Sequence, residues 1–418
     1  MYNNILEYLT HRGWNKATLS WSLYDWANSA FATIVLAGFF PILFKNYWAK
    51  GLAASEISLL LGIGASMSGI LLILAAPVIG YLADVKAAKK AYLTVCMVIS
   101  VAATIAFTFL GEGFWQAALI CYVLSVFMFM AGNVFYDAML IDITSPTYYN
   151  RISSTGYALG YLGGGIALIL GVLPVWFGDA EQMQQIKGVF AGVGIWWLLF
   201  SIPLLLWVRE KHKRQTSTFG FWKPLKLLRK QPALAWFLLA YWLYIDAVDT
   251  IIRIAVHYGD VKGFPVEDLL IALLLVQIIA FPATLIYGRL AEHFGAHSMI
   301  TVGILIYIVI CLWGAFLDSQ LSFYILVVLI ALVQGGLQAQ SRAFYADMVP
   351  SEHAAQFFGI YNMLGKFAVV LGPLLFGFTT YLSDNPRFGL MSLIVMLALG
   401  LIVFLTRVPR KLADTVTD

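Results

Sequence analysis

Twelve runs of mainly apolar residues, each near the length of about 20 that a helix needs to cross hydrocarbon, leave this chain few folds. They are Leu19 to Leu43, Ile57 to Leu82, Ala91 to Leu110, Trp115 to Leu140, Ile152 to Trp176, Gly188 to Val208, Ala233 to His257, Leu269 to Leu290, Met299 to Phe316, Leu321 to Phe344, Ala355 to Leu382 and Gly389 to Thr406. Only 11% of the residues are charged and 61% are hydrophobic, against roughly 25% charged in a soluble domain. A soluble core does not bury that much apolar surface, so a water-soluble enzyme is excluded and an all-α, multi-pass membrane protein is expected. The polar stretch before Leu19 lacks a small-residue cleavage site, so the first run reads as a retained span and not a signal peptide. The longest polar connector, residues 209–231, separates 1–208 from 232–418, two halves of six helices each. It reads as a cytoplasmic linker, in part an interfacial helix around Phe221 to Lys230.

Charge placement orients the chain. With both termini cytoplasmic, nineteen Lys and Arg fall inside and five outside, while Arg253 and Lys366 lie within spans. In a bacterium this places the protein in the plasma (inner) membrane. The net charge of +4 sits between apolar runs and forms no folded basic face, so nucleic acid is not an expected partner. Cys96, Cys121 and Cys311 lie in apolar runs without a CxxC pair or a His at ligand spacing, so neither a disulfide framework nor a metal site is expected. A P-loop would need G-x-x-x-x-G-K-[ST]; Gly359 to Phe367 has one residue too many and ends in Phe. No HExxH or GxSxG is present and the six His are scattered. The reading is therefore no cofactor and no enzyme, and a monomer in the bilayer is the working expectation.

Internal repeats come next. Gly80-Tyr-Leu-Ala-Asp84 after the second run is echoed by Gly288-Arg-Leu-Ala-Glu292 after the eighth, 208 residues on. Asp25 and Asn28 in the first run parallel Asp246 and Asp249 in the seventh, and the turns after Asp142 and Asp347 are alike. Three echoes in order imply two pseudo-symmetric six-helix halves. Gly80-x-x-x-Asp84 with Lys86, Lys89 and Lys90 resembles the signature loop of the major facilitator superfamily, with Ala87 and Ala88 where a second glycine is usual. Ser22 to Phe31 (SLYDWANSAF), Val134 to Pro146 (VFYDAMLIDITSP), Ser154 to Gly165 and Leu364 to Gly377 resemble the branch of autophagy-related vacuolar amino-acid effluxers and their bacterial relatives. The resemblance implies the twelve-helix major facilitator fold and transport of a small solute, amino acids above all, outward.

Charges inside spans mark the candidate site. Asp25, Asp246, Asp249, Arg253 and Lys366 would together cost about 12–18 kcal/mol if unpaired in lipid, at roughly 2.5–3.5 kcal/mol each. That rivals the ~5–15 kcal/mol stability of a whole domain, so they are expected to face one another or a water-filled central cavity. Asp246, Asp249 and Arg253 share one helical stripe, and the order acid-then-base at four residues allows a purely structural Asp249–Arg253 bridge. One acid then remains without a base and can cycle a proton. Asp25 and Asn28 share a face of the first helix and read either as site residues or as a structural cluster near the inner end. Lys366, with Asn362 and Gly365 near it, lies too deep to snorkel, so it pairs with an Asp or meets a substrate carboxylate. Gln334, Gln338, Tyr157 and Tyr161 can supply neutral hydrogen bonds or serve as interhelical glue.

A second set reads as gating: Gly80 and Asp84, Gly288 and Glu292, and Asp137 and Asp142 holding the loop with Arg151. Gly156, Gly160, Gly163, Gly164 and Gly165 form a small-residue face for close helix packing. The resulting expectation is a secondary transporter working by alternating access, with a small polar solute and protons as partners and Asp25 or Asp246 as proton carrier. A non-transporting receptor, scramblase or assembly protein on the same fold is the alternative.

Overall fold

The computed structural model describes residues 13–177, 182–211, 228–261, 266–316, 319–367 and 371–410. Its main helices are α1 (Lys16–Ala30), α2 (Ala54–Lys86), α3 (Lys89–Ala106), α4 (Trp115–Ala138), α5 (Tyr149–Phe177), α6 (Gln182–Trp207), α7 (Pro232–Val261), α8 (Val266–Phe294), α9 (Ala296–Ala315), α10 (Gln320–Met348), α11 (Ala354–Phe367), α12 (Leu371–Ser383) and α13 (Pro386–Arg407). Among the described residues eleven helices are long and apolar enough to cross a membrane. The eleventh predicted span is present as α11 and α12 on either side of residues 368–370, which lie outside the described residues. Most of the expected linker, residues 212–227, also lies outside them.

Local chemistry sets the helix ends. Asn15 caps α1: its Oδ1 accepts from Thr18 N at 2.9 Å while Asn15 N donates to Thr18 Oγ1 at 2.9 Å, a reciprocal box that satisfies two of the helix's orphan donors. Beyond Ala30 the first span continues as π-helical turns over Phe31–Phe39 and Phe44–Trp48. Such widened turns in a helix often mark functional segments. The α2 helix stops at Ala87, which takes the left-handed conformation with φ of 49°. This is the position where helices commonly place glycine. The α3 and α6 helices are then tied by charge: Glu210 accepts from Lys89 N and Lys90 N at 3.0 and 2.9 Å, and Lys90 Nζ donates to the carbonyls of Leu205 and Val208. An acid thus sits at the positive start of α3 and a base at the negative end of α6.

The described residues fall into two compact units. One contains Met1–Ser145, Leu159–Thr218 and Ser351–Gly359; the other contains Pro146–Ala158, Phe219–Pro350 and Ile360–Asp418. Each unit therefore takes one short segment from the other half of the sequence. In the first unit α1 packs on α6, α2 on α4, α3 on α4 and α3 on α6. In the second, α7 packs on α13, α8 on α10, α9 on α10 and α9 on α13. These pairings match helix for helix, six spans on, which is the internal repeat expressed as packing. Leu59, Leu74, Ile195, Leu206, Ile278 and Ile402 are among many large apolar side chains left exposed. Such a surface is stable against lipid and not against water.

Candidate functional site

In the first unit the glycine face of α5 brings the backbone of α1 close. A Cβ at Gly160 would lie 2.7 Å from Ser29 Oγ and 3.4 Å from Asp25 O, and one at Gly163 would lie 2.6 Å from Trp26 O. Only glycine admits that approach, as the small-residue run led one to expect. Asp25 is half-buried on this face. Asn28 is buried and donates Nδ2 to Asn133 Oδ1 of α4 at 3.2 Å. The same two helices are locked by Trp21 and Tyr136, whose rings stack at 4.5 Å while Trp21 Nε1 donates to Tyr136 O and Tyr136 OH donates to Trp21 O. Tyr161 is half-buried on α5. Polar and aromatic groups are thus gathered on α1, α4 and α5.

In the second unit Asp246 of α7 is fully buried. Its Oδ1 accepts from the backbone N of Gly372, at the start of α12, at 3.0 Å, and from Thr250 Oγ1 at 3.4 Å. Its Oδ2 is buried with no hydrogen-bond partner among the described residues. Asp249 lies half-buried one turn on. The backbones of Arg253 and Lys366 are helical, but their side chains lie outside the described residues, and with them the expected Asp249–Arg253 and Lys366 pairings. Asn362 and Gln338 are half-buried; Gln334 has a buried Oε1 without a partner among the described residues. Tyr241 stacks on Tyr361 at 4.2 Å, and Tyr361 on Tyr345 at 4.8 Å. An aromatic wall therefore stands on α7, α10 and α11.

The gating residues separate into two latches, each within one unit. Gly80 of α2 meets the start of α11: a Cβ there would lie 2.8 Å from Ala355 O and 3.0 Å from Gln356 Cα. One turn on, the buried Asp84 accepts from the backbone N of Ala355 and of Gln356, each at 2.9 Å, and from Gln356 Nε2 at 3.4 Å. A carboxylate so placed fills the role of an N-cap, with the helix dipole in its favour. In the second unit Gly288 of α8 abuts Ser154 of α5, and Glu292 binds Arg151, with Arg151 Nη2 2.6 Å from Glu292 Oε2. The echoed glycine and acid thus do the same job twice, each holding the segment its unit receives from the other half.

Asp142 takes Lys89 of α3: Nζ and Oδ2 are 2.9 Å apart and the two side chains are 2% and 0% exposed. The first turn of α3 thus supplies this buried carboxylate with a base, which offsets the cost of burying either charge alone. Asp137 is also buried. Arg342 of α10 is buried over the Tyr157 ring at 4.3 Å and donates Nε to Ser153 Oγ at 2.9 Å. Tyr157 is therefore a platform for Arg342. Gln340 beside it donates to Ser154 Oγ at 2.8 Å. Lys89, Asn133, Thr250, Gln340, Arg342 and Gly372 escape a reading of hydropathy, because their partners are far away in sequence.

The family pattern described as "Vacuole effluxer Atg22 like" matches residues 142–414. An MFS-type transporter of Bacillus subtilis (strain 168), YxiO, is 37% identical over 412 residues, covering 96% of each chain. The chain belongs to the Atg22-like family of the major facilitator superfamily. Autophagy-related protein 22 of Cryptococcus neoformans var. neoformans serotype D (strain JEC21 / ATCC MYA-565) is 27% identical over 293 residues, 63% of this chain and 50% of the fungal protein. The chain thus matches only about half the length of such fungal relatives. Among solved structures the fold is similar to that of the human organic anion transporter MFSD10, with a TM-score of 0.77, 16% identity and 93% and 99% of the two chains covered. The proton:xylose symporter XylE gives a TM-score of 0.76, 14% identity and coverage of 94% and 95%. These likenesses show the major facilitator fold of this Atg22-like protein, a multi-pass transporter.

Proposed function

We propose that this Atg22-like transporter moves amino acids or related small zwitterions out of the cytoplasm, in exchange for protons, by alternating access. The observation that carries the reading is the fully buried Asp246, whose Oδ2 has no partner among the described residues. An acid left in that condition inside a membrane helix marks an ion or substrate pathway. Asp25, Asn28, Asp249, Gln334, Gln338, Tyr161 and Asn362 complete the candidate set, with Arg253 and Lys366 as the bases that would meet a carboxylate. The name of the family supports efflux, and the amino-acid cargo follows the resemblance to the vacuolar effluxers. Both termini face the cytoplasm in this reading, supported by nineteen inner against five outer Lys and Arg. The monomer is taken as the working unit, in the plasma membrane for a bacterial source. The Asp84 and Arg151–Glu292 latches then close on the cytoplasmic side and open once per cycle.

Flux of a mixed pool of labelled amino acids through proteoliposomes tests the cargo. Saturable flux that is lost in Asp246→Asn, with the variant still folded, is the expected outcome. No flux above empty liposomes for any amino acid would remove this cargo class.

A further inference from the structure

We propose that the Asp246 carboxyl, with Thr250 and the amide of Gly372, is a proton-binding site whose occupancy decides whether the start of α12 is held against α7. This rests on the transporter reading above and singles out Asp246, not Asp25, as the proton carrier. The geometry divides the two oxygens. Oδ1 is engaged by donors, Gly372 N at 3.0 Å and Thr250 Oγ1 at 3.4 Å, and the Leu371 N–H also points toward the carboxyl, while Oδ2 is buried without a hydrogen bond of normal geometry among the described residues. N–H and O–H donors pointing at a carboxylate leave poor coordination for a metal cation, which needs six or more oxygen ligands in the case of calcium or magnesium-like sites. A proton needs only that second oxygen. When it binds Oδ2, the charge that strengthens the bond to the first turn of α12 disappears, and a charge-assisted hydrogen bond becomes a neutral one of about half the strength.

Gly372 makes the contact tight enough to matter. A Cβ at that position would collide with Thr250 Oγ1 and would lie 2.7 Å from Asp246 Oδ1. The approach of α12 to α7 is therefore written into residue 372. Few other charges bear on this carboxyl. Asp249 is one turn away on α7, and the part of α12 from Leu371 to Ser383 carries no charged residue. Of the other helices packed on α7, α13 has Arg387 and Arg407 at its ends, α10 has Arg342 and Asp347 in its last turns, α9 begins with His297, and α8 has Glu267, Asp268, Arg289, Glu292 and His293 at its ends. The side chains of Arg253 and Lys366 lie outside the described residues. One proton binds from water and one returns to water in each cycle.

The test is amide hydrogen exchange of a peptide covering the first turns of α12, in the full-length protein in nanodiscs without cargo, corrected for the intrinsic pH dependence of exchange. Wild type is expected to lose protection on acidification by on the order of tenfold, the difference between a hydrogen bond to a charged and to a neutral acceptor. Asp246→Asn is expected to show the low-protection level at every pH, and Asp25→Asn to behave as wild type. Should Asp246→Asn fail to fold, Gly372→Ala, which forces Thr250 and Asp246 aside, is expected to remove the pH response. Protection in wild type that is the same at acidic and neutral pH would overturn the inference, as would an Asp246→Asn profile matching wild type. Because exchange is read without cargo, absence of amino-acid flux would sink the cargo assignment and leave this site standing.

Discussion

Asp84→Ala is the sharpest perturbation of the latches. The Asp84 carboxylate accepts two backbone N–H groups of α11 at 2.9 Å each, in a site it shares with Gln356 Nε2. A hydrogen bond to a charged group contributes about 1.5–3 kcal/mol, so truncation to Ala removes roughly 3 kcal/mol or more and leaves two donors at a helix start without their acceptor. Asp84→Asn keeps one acceptor oxygen and forfeits the charge, a loss nearer ~1.5 kcal/mol. At 1.4 kcal/mol per factor of ten, the segment from Ser351 to Gly359 should open about a hundredfold more often in the alanine variant and about tenfold more often in the asparagine variant. Hydrogen exchange of a peptide covering that segment, in nanodiscs, reads these ratios directly. Identical protection in wild type and Asp84→Ala would refute the capping argument, and so would Asn and Ala variants that behave alike.

Other expectations follow from the same contacts. Removing one partner of the buried Lys89–Asp142 pair, as in Lys89→Met, should cost about 3–5 kcal/mol, whereas the double variant Lys89→Met with Asp142→Leu should recover most of it; thermal unfolding in detergent of the two singles and the double checks this as a cycle. Ala87→Gly should raise stability by about 1 kcal/mol, because Ala87 bears the steric cost of the left-handed conformation; an unchanged or lowered melting temperature would count against it. The Arg151–Glu292 pair is 22% exposed on both sides, so Glu292→Gln should cost no more than about 1 kcal/mol and the effect should shrink in high salt.

How much of this was legible before any coordinates depends on the kind of contact. The membrane-spanning runs and the repeat rest on periodicity, length and echoed motifs, which a chain in a bilayer must display because lipid demands an apolar face at every depth. The Gly80 and Gly288 echoes were visible for the same reason: a backbone can approach another closely only where a side chain is missing. Partner choice was not visible. Lys89, Arg342 and Arg151 look alike in a count of charges, yet one pairs with a buried acid, one lies on a tyrosine ring and one bridges to a half-exposed glutamate. Hydropathy records the burial a helix face needs and carries no address for a distant polar partner. Nor does it show that residues 146–158 and 351–359 each group with the opposite half of the chain. Asp246 shows both sides: its depth made it a candidate, but Gly372, 126 positions away, stood in the Leu364 to Gly377 run with nothing to mark it as the partner of Asp246.

The proposed cycle exchanges a cytoplasmic amino acid for protons. Proteoliposomes loaded with labelled amino acid and an internal pH dye, then placed in acidic medium, test it most directly. The prediction is saturable release that speeds up under the inward proton gradient, with internal acidification in step with release, and neither in Asp246→Asn. Release at a rate indifferent to the gradient, or acidification no faster than in empty liposomes, would contradict it.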